Sequence, residues 1–387
     1  MHISRFLMSC SAVILVSASV VPATAQLRVD QTNLVSDIPG LAKLTDPSLV
    51  NAWGISFGPT TPFWISDNGM GVSTLYSVPP SSPPSVSKVP LTVSIPPVTS
   101  PPTSAPTGQV FNAFGGVGFG GAAFLFDSEA GVISGWSGGM SAVVGVDKGS
   151  AAVYKGLAIS DPGKSDAVLY ATNFRAGTIE AYDPSFAPTL VGDFVDPSLP
   201  AGYAPFNDKV IDGKLYVTYA LQDAAKHDDV KGTGHGFVDV FNLDGTLDKR
   251  LISMGALDSP WGLQIAPANF GSFAGDLLVG NFGNGMINAY NATTGAFVGT
   301  LDGANGKPLV IDGLWGLTIG NGFSGPPFSG GRLDTLYFTA GPNGESNGLF
   351  GSLAVPEPST WALMALGFAG LGFAGWRSQR RSVSIAA

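Results

Sequence analysis

At 387 residues the chain is long enough for two average domains or one large all-β domain, so it can bury a core without disulfide staples. Charged residues make up 12% of it, about half the roughly 25% of ordinary soluble proteins, while 53 glycines and 29 prolines disfavour long helices. With 19 Lys+Arg against 28 Asp+Glu, a net charge of -9 and no basic run before the extreme C-terminus, nucleic acid is excluded as a natural partner.

Residues 1–25 read as a secretory signal peptide handled by the secretion machinery. Arg5 is the only charge ahead of an apolar stretch from Phe6 to Val21, and Ala23 and Ala25 fill the small-residue cleavage positions before Gln26. Cys10, the only cysteine, falls inside this segment, so the mature chain is expected to carry no disulfide, thiolate nucleophile or cysteine metal site.

From residue 26 to 353 short patterns recur. A glycine is followed five residues later by an aromatic at Gly71 to Tyr76, Gly131 to Trp136, Gly177 to Tyr182, Gly236 to Phe241 and Gly285 to Tyr290, and a degenerate copy with Glu345 in the glycine position ends at Phe350. These aromatics lie on average about 55 residues apart, near the roughly 40 to 50 of propeller blades with loop insertions. Gly54-Ile55, Gly156-Leu157, Gly262-Leu263 and Gly316-Leu317 open apolar runs in the same register, and that spacing puts the missing openers near Asn112 and Asn207. Between opener and aromatic stand β-rich runs ending in Asp67-Asn68, Thr172-Asn173 and Gly280-Asn281. Four short strands per repeat, without helical periodicity, predict an all-β, six-bladed β-propeller. Leu34-Val35-Ser36 is placed to supply the outer strand of the last blade and close the ring. The proline-rich stretches 79–84 and 96–106 read as loops within the first blade.

The blade pattern resembles NHL-type propellers, and the whole body resembles an uncharacterised family of secreted bacterial proteins. The resemblance is carried by Asn51-Ala52-Trp53-Gly54-Ile55, Tyr154-Lys155-Gly156-Leu157-Ala158-Ile159, Ala204-Pro205-Phe206-Asn207, Gln222-Asp223-Ala224, His227-Asp228-Asp229-Val230, Gly236-Phe237-Val238-Asp239-Val240-Phe241 and Pro260-Trp261-Gly262-Leu263. It implies the fold and brings no established activity.

Two groups of residues are candidates for function. The inner-strand openers Asn51, Trp53, Asn112, Tyr154, Lys155, Asn207, Trp261 and Trp315 are expected at one mouth of the central channel. Indole faces beside amides suit a glycan or small polar ligand there, or else the tryptophans are packing plugs. The loop 221–235 is the densest polar cluster; Asp223, Asp228 and Asp229 offer hard oxygen ligands to Ca²⁺, or else form a solvated turn. His227 and His235 are the only histidines after residue 25, and no Gly-x-Ser-x-Gly elbow or His-Glu-x-x-His motif accompanies them, so no catalytic residue is assigned. The sequence favours a ligand- or partner-binding protein over a metal-dependent hydrolase or lactonase on the same scaffold.

Residues 354–387 carry Pro356-Glu357-Pro358, an apolar segment flanked by Trp361 and Trp376, and Arg377, Arg380 and Arg381. Residues 359–376 number 18 and reach about 27 Å as a helix, enough to cross a hydrocarbon core with the arginines in the cytoplasm. This tripartite end resembles the PEP-CTERM sorting signal of Gram-negative bacteria. It implies export, transient inner-membrane anchoring, processing by exosortase, and delivery to the cell surface or extracellular matrix; the alternative is a permanent anchor. Replacing Glu357, or the three arginines together, should leave the protein unprocessed in the inner membrane. Fractionation and the mass of the released form check this, and unchanged release of both variants would refute it.

Overall fold

The computed structural model describes residues 27–97, 104–189 and 191–356; the segment expected to be a signal peptide, the apolar C-terminal segment and its arginines lie outside them. Among the described residues no helix is long and apolar enough to cross a membrane. The chain opens with β1 (Arg28–Ser36) and β2 (Leu44–Thr45), then lays down blade 1 as β3 (Ala52–Ser56), β4 (Phe63–Asp67), β5 (Val72–Ser77) and β6 (Ser87–Ser94). Blade 2 is β7 (Pro106–Phe111), β8 (Phe124–Ser128), β9 (Val132–Trp136) and β10 (Val143–Asp147), and blade 3 is β11 (Tyr154–Ile159), β12 (Leu169–Asn173) and β13 (Thr178–Tyr182). Blade 4 is β14 (Tyr203–Ile211), β15 (Lys214–Leu221), β16 (Phe237–Asn242) and β17 (Leu247–Ser253). Blade 5 follows as β18 (Pro260–Ile265), β19 (Leu277–Asn281), β20 (Ile287–Tyr290) and β21 (Phe297–Thr300), with β22 (Asp302–Gly303) after it. Blade 6 is β23 (Leu314–Ile319), then, past the small hairpin β24 (Ser324–Gly325) and β25 (Phe328–Ser329), β26 (Leu336–Ala340) and β27 (Leu349–Ala354). Its fourth strand is β1, antiparallel to β27 from Asp30↔Ala354 to Ser36↔Leu349. The fold is an all-β, six-bladed propeller, closed where the sequence placed the closing strand. β2 and β22 in turn cover the outer edge of β1.

Closure brings the inner strands into backbone contact, and that is why they carry glycine. A Cβ on Gly54 would meet the Thr107 carbonyl, on Gly108 the Leu157 amide and on Gly316 the Trp53 carbonyl, each on the neighbouring blade. Outside this ring each pair of adjacent blades shares one apolar layer, six layers in all, and a seventh cluster fills the axis.

The repeated third-strand aromatics fill these layers. Tyr76, Trp136, Tyr182, Phe241 and Tyr290 pair with Phe63, Phe124, Leu169, Leu215 and Leu277, the same register in five blades. In blade 6 that register belongs to Leu353, paired with Leu336, and not to Phe350. Glu345 does take the left-handed turn conformation (φ 67) that glycines 71, 131, 177 and 285 take elsewhere. Three further residues precede β27, however, so Phe350 faces blade 1 while Leu353 faces blade 5. Blade 3 also departs from expectation, with three strands where four were predicted. After β13 the chain runs through Pro184, Pro188, Pro197 and Pro200, which cannot donate to a ladder, and among the described residues its backbone pairs with β13 at the isolated Tyr182↔Pro188 bridge.

Phe241→Ala should cost about 3 to 5 kcal/mol and Leu353→Ala about 2 to 5 kcal/mol in guanidinium unfolding, because each leaves a cavity between blades. A loss below about 1 kcal/mol at Leu353 would show that the blade 6 register is wrong.

Candidate functional site

One residue after the start of each inner strand, or its equivalent in register, points to the axis: Trp53, Thr107, Lys155, Phe206, Trp261 and Trp315. Trp53 and Trp315 stack at 3.5 Å, and Phe282 covers the other face of Trp315 at 3.8 Å. Trp261 stands edge-on to both, and its Nε1 donates to the Lys155 carbonyl at 3.0 Å. With Phe174, Phe206, Ala204 and Ala220 these rings form a plug across the channel. The indole faces of Trp53 and Trp315 that would stack on a sugar are therefore turned to each other.

Polar groups crowd above the plug. Lys155 is 2% exposed, with its ammonium 5.1 Å from the Trp53 ring centre; it pairs with Glu129 and, at 3.4 Å, with Asp228. Asn68 Nδ2 donates to Glu129 at 3.0 Å, and Asn51 Nδ2 donates to Asn68 at 3.2 Å and to Glu345 at 2.9 Å. Asn51 Oδ1 accepts from Trp315 Nε1 at 3.2 Å, and Asp228 meets His227 Nδ1 at 2.8 Å. One network thus joins blades 6, 1, 2, 3 and 4 around the mouth, and Lys231 of the blade 4 loop lies 3.9 Å over Phe282.

Its charges perturb one another. The hydrogen bond that His227 donates to the Asp228 carboxylate holds His227 above its usual pKa, and the same bond, with Lys155 nearby, lowers Asp228 to about 2. Burial by itself would pull Lys155 down, but the Glu129 and Asp228 charges outweigh it and raise the ammonium. Glu345 and Asp229 are raised by burial.

The structure sorts the residues expected at this mouth. Asn51, Trp53, Lys155, Trp261 and Trp315 converge there, and Asn207 lies one layer further in, donating to the Trp261 carbonyl at 2.7 Å. Tyr154 does not reach the axis: neighbours on a strand face opposite ways, and its hydroxyl meets Glu180 at 2.7 Å between blades 2 and 3. Asn112 lies past the far end of β7, held by Ala122 and Gly163. The blade 2 opener is Thr107-Gly108, hidden in the sequence because it lacks a tryptophan. The three loop aspartates do not form one ligand set. Asp223 accepts the backbone N–H groups of His227 and Asp228 and shapes the loop, while Asp229 is half-buried with Oδ2 unpartnered. Among the described residues the close group of potential metal ligands is Glu129, His227 and Asp228, within 4.8 Å of one another, and Lys155 already pairs with two of these three. Sequence reading missed Glu129. Its signal was register: Asn68, Glu129, Phe174 and Phe282 each directly follow the second strand of their blade and ring the same mouth.

The architecture and the tail define a class, a propeller addressed for export. The PEP-CTERM protein-sorting motif matches residues 354–381. The chain is 31% identical over 339 residues to an uncharacterized protein of Acanthamoeba polyphaga mimivirus, covering 83% of this chain and 78% of that one. A second protein of the same virus is 32% identical, with 83% and 84% covered. The chain belongs to the family of these two proteins; the relatives that place it there are viral, whereas the sequence resemblance pointed to secreted bacterial proteins. A Penicillium chrysogenum α-L-arabinanase solved with arabinobiose superposes with a TM-score of 0.50 over 85% of this chain and 98% of that one, at 10% identity, which is a likeness of fold alone.

In NMR titration His227 should show a pKa above about 6.5, falling back toward it in Asp228→Asn. The pair's contribution to stability is full between about pH 4 and pH 6.5; it is lost as pH rises through the raised His227 value, and also as pH falls through the lowered Asp228 value. An unshifted His227 would mean that the loop does not close onto Asp228 in solution.

Proposed function

We propose that this protein is exported, released by exosortase into the cell envelope or extracellular matrix, and there binds a small polar ligand or a glycan group at the charged mouth of the propeller. The observation that carries the reading is Lys155, a buried ammonium over an aromatic plug, held by acids from blades 2 and 4. Buried ion pairs contribute little net stability against apolar replacements, so a charged network at the axis is better explained by recognition than by folding. Hydroxyls and amines of a ligand can exchange with the Asn51, Asn68 and Glu129 hydrogen bonds, while the aromatic floor limits water beneath them.

The second reading is a metal-dependent hydrolase or lactonase, favoured by the Glu129, His227 and Asp228 group. A divalent cation there would have to displace Lys155, and carboxylate and imidazole donors suit Zn²⁺ better than Ca²⁺. Calorimetry of the secreted form against a glycan and small-polyol panel separates the two. Binding should survive EDTA and disappear in Lys155→Met/Glu129→Gln, a paired change that leaves no unpaired buried charge. Turnover of a lactone or ester panel, abolished by chelation and restored by Zn²⁺, would establish the hydrolase instead.

A further inference from the structure

Below the plug the channel opens again. From the glycine layer to the far end of the inner strands runs a cavity of about 380 Å³, within the range of small-molecule sites. Its walls are largely apolar, with Ile55, Leu157, Leu263 and Leu317 in one layer and Phe57 and Phe111 nearer the opening. The ionisable side chains that line it are Asp208 and Lys209, neighbours on β14 that face opposite ways.

Lys209 reaches across the channel. Its ammonium donates to the Leu263 carbonyl at 2.9 Å, to Gln264 Oε1 at 2.8 Å and to the Leu317 carbonyl at 3.3 Å. All three acceptors are neutral, and neither β18 nor β23, which supply them, carries an ionisable side chain. Among the described residues Lys209 has no acidic partner within ion-pair distance, whereas Lys155 above the plug has two. Asp208 is 3% exposed, and neither of its carboxyl oxygens has a hydrogen-bond partner. A buried carboxyl without a hydrogen bond is costly, and the half-buried Lys209 ammonium, though hydrogen-bonded, has no counter-charge, so both would gain from a ligand that completes them.

We propose that this cavity is a second binding site, separate from the charged mouth, for a small carboxylic acid with an aliphatic or aromatic body. The carboxylate binds the uncompensated Lys209 ammonium, and the body lies against the leucine, isoleucine and phenylalanine walls. Burial, with Asp127 nearby, pushes the Asp208 carboxyl well above its usual range, which favours its neutral form and weakens its pull on an amine. Burial lowers Lys209 only to about 8, so the ammonium remains charged at neutral pH.

Calorimetry of the purified protein with octanoate, octanol, octylamine and benzoate tests the assignment. Octanoate should bind about tenfold to a hundredfold more tightly than octanol. Lys209→Met should remove that difference and leave octanol binding unchanged. Ser56→Trp, which puts a bulky side chain on the cavity wall contributed by blade 1, should abolish both, and Lys155→Met/Glu129→Gln should change neither. If Lys209→Met fails to fold, Ser56→Trp still decides whether the cavity is the site. Failure of octanoate and benzoate to bind, equal affinity for octanol, tighter octylamine binding, or octanoate binding that survives Ser56→Trp would each overturn the proposal.

Discussion

The pairing of β1 with β27 is the contact on which the remaining structure depends. It joins residues more than 300 positions apart in sequence, with Ser36 Oγ also donating to the Gly348 carbonyl at 2.7 Å, and it closes the layer between blades 6 and 1 around Phe63, Tyr76, Tyr337 and Phe350. An open stack of six blades would expose two sheet edges and two apolar faces. Once the ring is closed its circumference is set, and the inner strands have to share what space remains at the axis. Glycine on those strands, aromatic filling above them and a residual cavity below are all consequences of that one closure.

The distribution of charge is also informative. Only 12% of residues are charged, yet Lys155, Glu129, Asp228, Asp208 and Lys209 all gather within the channel or at its mouth. Two other interior ion-pair sets are tied to local architecture. Asp46 holds Tyr76 at 2.6 Å and Lys88 at 2.7 Å, and Asp196 and Asp239 share Arg250. Each of these sets serves one blade edge. The axial set instead bridges blades, since Lys155 of blade 3 pairs with Glu129 of blade 2 and Asp228 of blade 4, while among the described residues Lys209 and Asp208 have no ion-pair partner.

Much of the fold was legible because its determinants are local. Turn glycines, the alternation of short strands and the inner-strand glycines repeat at intervals that survive insertions, and Leu34-Val35-Ser36 reads as a strand without a partner of its own. The errors arose where equivalence is decided by pairing rather than by spelling. Thr107-Gly108 lacks the tryptophan of its counterparts, so counting settled on Asn112. Phe350 kept the chemistry expected of the third strand, while Leu353 kept the position. The charged mouth was half legible. Lys155 and the loop aspartates were visible as separate candidates, but their meeting with Glu129 depends on loops of three blades that only the closed ring brings together. Lys209 and Asp208 gave no signal, because a strand interrupted by two charged residues reads simply as a strand edge.

Pseudo-symmetry supplies a control that most folds lack. At the layer of Lys155 the other five blades place Trp53, Thr107, Phe206, Trp261 and Trp315, and at the layer of Lys209 they place Ser56, Val110, Ala158, Gln264 and Thr318. Every one of these positions faces a similar backbone environment, and five of six solve it with an uncharged side chain. Packing alone therefore does not call for a lysine at either layer. A mutation that merely relieved a packing demand would act alike on every blade. A lysine that appears in one blade out of six, on each side of the plug, is there for something the ring itself does not need.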